Sequence, residues 1–201
     1  GRKEMIDYCQ SHGLPITATH DKPYSTDANI LGLTHEAGEL EDLKTPASRV
    51  EAGMGVFPAA APDEAEIFTV RFEKGQPVEI NGGKVNDLQA IALSNEIGGR
   101  HGVGIGLHAV ENRFVGIKSR GVYEAPGLEL LGQCYEYLLQ LVLDRRTRRI
   151  YQPISAYISE QIYQGYWFDT ATQACWKFVE HLNSLASGTI SVELYKGHAA
   201  F

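Results

Sequence analysis

With 201 residues, 43% hydrophobic and 21% charged, the chain is long enough to bury a substantial core and has the balance of a soluble globular protein. Its formal charge of −7 argues against nucleic acid as the main partner, because neutralising phosphates needs a basic face. No apolar run is long enough to span a membrane and no charged-then-apolar leader opens the sequence, so no membrane partner is expected.

In chain order, Arg2 to His12 suits a short helix with Met5, Ile6 and Cys9 on one side and Gly13 as its stop. Leu14 to Thr19 reads as extended, leading to a polar loop from Asp21 to Asn29. Phe68, Val70 and Phe72 alternate with polar residues over 66–73, the period of a half-buried strand. Gly75-Gln-Pro77 and Asn81-Gly82-Gly83 then bracket a hairpin-like partner, Val78 to Ile80. Asp87 to Ile97 is helical and is expected to end at Gly98-Gly99, after which 110–118 returns to strand character.

Pro126 opens a helix on which Leu128, Leu131, Tyr135, Leu138 and Val142 recur at helical spacing. Two more helices are expected over 153–163 and 169–186, stopped by Gly165 and Gly188, before a final strand alternating Ile190, Val192 and Leu194. The pattern predicts an α+β fold: a mixed or antiparallel sheet with flanking helices and a helical pair near the C-terminus, all within one domain spanning 1–201. The run Arg145-Arg146-Thr-Arg148-Arg149 is read as a solvated face or a dipole-compensating helix C-terminus rather than a polyanion site.

Cys9, Cys134 and Cys175 are odd in number and never spaced as C-x-x-C, which fits free thiols in a reducing cytosol. The seven histidines form no tight ligand pair, so no metal site is expected, and no G-x-S-x-G elbow supports a nucleophilic hydrolase. A carboxylate pair such as Glu36 and Glu111 would serve a hydrolase only by facing one cleft, and nothing else in the sequence asks for that. Gly102, Gly104 and Gly106 do not make G-x-G-x-x-G and follow a helix instead of a strand. Gly116-Ile-Lys118-Ser119 ends like a phosphate loop, but Glu111 stands where the earlier glycine belongs. Both readings reduce to a glycine-rich turn.

Two polar constellations remain. The first is Tyr24-Ser-Thr-Asp-Ala-Asn29 with Leu33-Thr-His-Glu-Ala-Gly38, whose Ser25, Asp27, Thr34 and Glu36 either bond a ligand or cap local turns. The second runs from His101 to Pro126 and crowds Glu111, Asn112, Arg113, Lys118, Ser119, Arg120, Tyr123 and Glu124 between apolar residues. A plain core strand has no use for such polarity; a surface that grips a small polar substrate does.

Together these stretches resemble the C-terminal synthetase half of argininosuccinate synthase. The likeness is carried by Gly1 to Asp7, Tyr24 to Asn29, Thr34-His-Glu-Ala37, Arg100-His-Gly-Val-Gly104, Glu111-Asn-Arg113 and Lys118 to Pro126, with a weaker match at Tyr163 to Asp169. The resemblance implies part of an ATP-dependent ligase that joins citrulline to aspartate through a citrullyl-adenylate, releasing AMP and pyrophosphate, with Mg²⁺ shielding the phosphates. It implies citrulline contacts at Ser25, Thr34, Glu36, Glu111 and Tyr123, and a place near ATP for Asp27. Lys118 and Arg120 would either steady negative charge near the adenylate or pair with Glu111 or Glu124.

The resemblance also implies a cytoplasmic protein that is a homotetramer when full length, together with an N-terminal half that carries the ATP loop and grips aspartate. The chain opens on Gly1 and closes on Phe201, read as truncation at both ends, so the piece alone is expected to be inactive. The reading from another class is a non-catalytic ligand-binding or assembly module. One departure stands out: Ile105 to Val110 holds one residue more than the family pattern and lacks its Asp.

Overall fold

A computed structural model of the chain describes residues 2–16, 24–112 and 116–201. His20 and Arg113 lie outside the described residues, as do parts of the expected extended stretch after Leu14 and of the polar loop after Asp21. The chain groups into two compact units. The first comprises Gly1–Ala65, Ile91–Leu130 and Leu194–His198, and the second Glu66–Ala90, Leu131–Glu193 and Ala199–Phe201.

The first unit begins with helix α1 (Arg2–Ser11), which buries Ile6 but leaves Met5 two-thirds exposed. Its body is a four-stranded antiparallel sheet of β1 (Ser25–Ala28), β2 (Leu33–Glu36), β6 (Ile105–Asn112) and β7 (Lys118–Glu124), in the order β1-β2-β7-β6. Behind it Tyr24, Leu40, Val50 and Val122 form a small apolar core, joined by Ala47 and Phe57. The expected polar loop is thus partly a strand: Ser25 to Ala28 pairs with β2 across the turn at 29–32, a hairpin that its polar composition does not reveal. The expected strand over 110–118 is corrected to two strands, 105–112 and 118–124, which pair antiparallel.

The stretch Ile105–Val110 carries a β-bulge. Ile105 pairs with Glu124 but Leu107 pairs with Tyr123, so one residue, Gly106, bulges out at φ 72°. Phe57 packs where a Cβ on Gly106 would sit, 2.6 Å away. Beyond the bulge, Glu111 lies directly opposite Ser119.

Helix α2 (Asp87–Arg100) starts with a reciprocal cap, Gln89 N–H donating to Asn86 Oδ1 and Asn86 N–H donating to Gln89 Oε1. It does not stop at Gly98-Gly99 as expected. These glycines lie within the helix and leave room for a neighbouring backbone: a Cβ on Gly99 would lie 2.2 Å from the Met54 carbonyl oxygen.

The second unit carries a five-stranded sheet of β3 (Glu66–Glu73), β4 (Gln76–Ile80), β5 (Gly83–Lys84), β8 (Gly188–Tyr195) and β9 (His198–Ala200), ordered β5-β4-β3-β8-β9. The alternation expected of β3 and β8 holds, with Phe68, Val70, Phe72, Ile190, Val192 and Leu194 all buried. Helices α3 (Pro126–Val142), α4 (Arg145–Gln164) and α5 (Thr170–Asn183) complete the α+β fold. Tyr135 donates to Asn183 Oδ1 at 2.6 Å and its ring meets Phe72 at 5.5 Å.

Two helix limits differ from expectation. The arginine run does not close a helix; it opens α4, capped by Asp144, whose carboxylate accepts from the Arg146 and Thr147 N–H groups. Pro153, expected near a start, lies inside that helix, while Gly165 ends it in the left-handed conformation. Gly188 begins β8 instead of stopping α5, which finishes at Asn183. No helix among the described residues is long and apolar enough to cross a membrane.

Candidate functional site

Side chains alternate across a sheet, and residues paired across an antiparallel ladder share a face. Ser25 pairs with Glu36, and Asp27 with Thr34. Thr34 pairs in turn with Tyr123, and Tyr123 with Leu107. Further along, Gly121 pairs with Ala109 and Ser119 with Glu111. The register therefore gathers Ser25, Asp27, Thr34, Glu36, Tyr123 and Glu111, drawn from all four strands, on one face. A shift of one residue in any ladder would have scattered them.

Among the described residues of these strands, that face carries three carboxylates and no Lys or Arg. Lys118 and Arg120 alternate to the opposite face, paired with Asn112 and Val110. Arg120 donates to the Leu43 carbonyl at 3.0 Å, and its buried Nε has no hydrogen-bond partner among the described residues. Glu124, weighed from sequence as an ion-pair partner for Lys118 or Arg120, is engaged by His35 instead.

Small residues shape the face. Gly121 and Ala109 lie side by side between the Tyr123 row and the Glu111 row. The Tyr123 ring folds over Gly121, so its hydroxyl reaches along β7 toward Ser119 and Glu111. At the other end a cleft of about 390 Å³ is lined by Asp27, Thr34 and Tyr123 with Asn29, Leu31 and Leu128. Asn29 caps its own turn, its Oδ1 accepting from Leu31 N–H at 2.8 Å.

Behind the face is a polar chain, buried at His35 and Glu124, whose assembly sequence spacing does not show. His35 Nε2 lies 2.8 Å from Glu124 Oε1, and the Glu124 carboxylate also accepts from the backbone N–H groups of Gly53 and Met54. Thr26 Oγ1 sits 3.0 Å from His35 Nδ1, and Tyr24 packs edge-on to the imidazole. The signal available was parity: between wall residues Thr34 and Glu36, a strand must turn His35 the other way.

His101, in the expected glycine-rich turn, is buried and its carbonyl accepts from Gly197 N–H, a structural tie. Lys118-Ser119 enters a strand, so no helix follows to complete a phosphate loop. Among the described residues no group of three or more His, Cys, Asp or Glu gathers to hold a metal ion.

The family model described as "Arginosuccinate synthase C-terminal domain" matches residues 24–201. An argininosuccinate synthase of Rhodopirellula baltica is 42% identical over 199 residues, covering 98% of this chain and 49% of that protein. Argininosuccinate synthases of Desulfitobacterium hafniense and Carboxydothermus hydrogenoformans are 41% and 40% identical, covering 99% and 98% of this chain and 49% of each relative. The chain spans about half the length of the curated relatives it matches.

Proposed function

The chain belongs to the argininosuccinate synthase family, and from that premise we propose that it supplies the citrulline-binding wall of an ATP-dependent carbon–nitrogen ligase of arginine biosynthesis. The observation that carries the proposal is the shared face of Ser25, Thr34, Glu36, Glu111 and Tyr123. Citrulline offers an ammonium group and several ureido N–H donors, so its wall must supply acceptors. Carboxylates and hydroxyls are such acceptors, and charge-assisted hydrogen bonds of this kind contribute ~1.5–3 kcal/mol each.

In this proposal Glu111 takes a cationic or N–H end of citrulline, while the Ser25, Thr34 and Tyr123 hydroxyls fix the rest of the molecule. Glu36 adds negative potential beside Ser25, and Asp27 sits at the edge toward ATP. Held so, the ureido oxygen of citrulline attacks the α-phosphorus of ATP, pyrophosphate leaves, and a citrullyl-adenylate forms. The aspartate amine then attacks the ureido carbon and AMP departs. Catalysis of this type rests on positioning and on stabilising developing charge, with no protein nucleophile.

The acidic face is ill suited to phosphates. ATP binding and the grip on aspartate are therefore assigned to an N-terminal half, in line with a chain half as long as its relatives. Lys118 and Arg120 are left out of the wall because they alternate away from it. Mg²⁺ is assigned to the phosphates, whose charge it shields. The proposal extends to a cytoplasmic homotetramer for the full-length protein.

The test joins the chain to the N-terminal half of a relative and measures pyrophosphate release. Release that requires both citrulline and aspartate is expected. No release above background from the folded, completed enzyme would overturn the assignment.

A further inference from the structure

Strand alternation turns Thr26, His35 and Glu124 to the sheet face opposite the wall, where they form one hydrogen-bonded chain. His35 is 2% exposed and Glu124 1%, while Thr26, at the outer end of the chain, is exposed. As a carboxylate, Glu124 is an acceptor only, so His35 Nε2 donates to it across 2.8 Å. In the neutral imidazole that leaves Nδ1 as the acceptor for the Thr26 hydroxyl, 3.0 Å away. The far end of the chain is fixed as well, because Glu124 accepts from Gly53 and Met54 N–H at 2.9 Å and 2.6 Å.

Packing alone has no need of this arrangement. A buried polar network is costly unless every member is satisfied, and an apolar residue at 35 would fill the same space at lower risk. What the network reaches is β1. Among the described residues that strand is at the sheet edge, is paired only with β2, and is largely exposed. Thr26 sits between Ser25 and Asp27, which point to the wall face. Fixing Thr26 from behind therefore fixes both neighbours in front.

We propose that His35, held by Glu124, is a positioning residue: through the Thr26 hydroxyl it sets the placement of β1 and hence of Ser25 and Asp27 on the wall. The proposal rests on the citrulline reading only for the identity of the ligand. A displacement of ~1 Å at a positioned group is enough to cost up to ~100-fold in function, and loss of this one tether is expected to cost about tenfold.

The experiment uses the completed synthetase containing this chain, with Thr26→Val, Thr26→Ser and His35→Gln. Valine keeps the shape and strand preference of threonine but has no hydroxyl. Glutamine keeps a donor toward Glu124 and abandons Thr26. Thr26→Val and His35→Gln should each raise the citrulline KM about tenfold while leaving the ATP KM within about twofold, and Thr26→Ser should restore the wild-type value. An unchanged citrulline KM in Thr26→Val, or a Thr26→Ser enzyme as impaired as Thr26→Val, overturns the proposal.

Amide hydrogen exchange over Ser25–Ala28 separates this from the functional reading. If the wild-type completed enzyme shows no citrulline-dependent turnover, that reading fails and exchange decides the positioning role. Faster exchange of β1 in Thr26→Val than in Thr26→Ser supports the tether, and equal exchange overturns it.

Discussion

The Tyr123 phenol lies over Gly121, two residues back along the same strand, so closely that a Cβ on Gly121 would fall 2.5 Å from its hydroxyl oxygen. Gly121 has no Cβ because the ring takes its place. The hydroxyl is thereby directed along the face toward the Ser119–Glu111 pair. Gly121→Ala should lift the ring off the strand and raise the citrulline KM of the completed enzyme by ten-fold or more, as in Tyr123→Phe. An unchanged KM in Gly121→Ala would separate the ring's placement from binding.

Glu124 is among the most buried polar groups of the chain and receives donors from His35, Gly53 and Met54. Glu124→Leu keeps roughly the size but removes the acceptor that the Gly53 and Met54 N–H groups use. Such an unsatisfied buried donor costs about 1–3 kcal/mol. Urea unfolding should show a lower midpoint at an unchanged slope. An unaltered midpoint would mean that the loop at Gly53 and Met54 is anchored by other contacts.

Burial pushes the Cys134 thiol up to about 12, far above the range in which a thiolate forms at neutral pH. Cys9 and Cys175 are only partly buried. Alkylation of the native chain at pH 8 should therefore modify two thiols, and a third should react only in denaturant. Rapid modification of Cys134 in the native state would contradict its place in the core.

The parts of the fold set by local periodicity were legible in the sequence. Ile190, Val192 and Leu194 alternate and are buried, and Asn81-Gly82 marks a real turn between β4 and β5. What depends on a particular strand pairing, cap or close backbone approach was not. Ser25 to Ala28 looks like a loop because its polar residues face outward on an edge strand, and only pairing with Leu33 to Glu36 makes it one. Gly98 and Gly99 look like a helix stop, yet they are helical residues admitting a backbone neighbour. The arginine run fits either end of a helix until Asp144 is seen capping it.

The candidate site followed the same division. Its residue types were visible as two polar clusters, but their common face follows from the β2–β7 and β6–β7 registers. The same registers turn Lys118 and Arg120 away, which spacing alone left open. That Thr26, His35 and Glu124 act together was not visible, because three strands are needed to bring them into one chain of hydrogen bonds.

The central claim is that this face binds citrulline, with Glu111 supplying a charged acceptor. The most direct measurement is the citrulline half-saturation of pyrophosphate release in the completed enzyme, with Glu111 and with Glu111→Gln. Losing one charge-assisted bond of ~1.5–3 kcal/mol corresponds to roughly 10- to 150-fold weaker citrulline binding. The account predicts a rise within that range at an ATP half-saturation changed less than about twofold. Equal citrulline half-saturation in the two enzymes would remove Glu111 from the site and contradict the account.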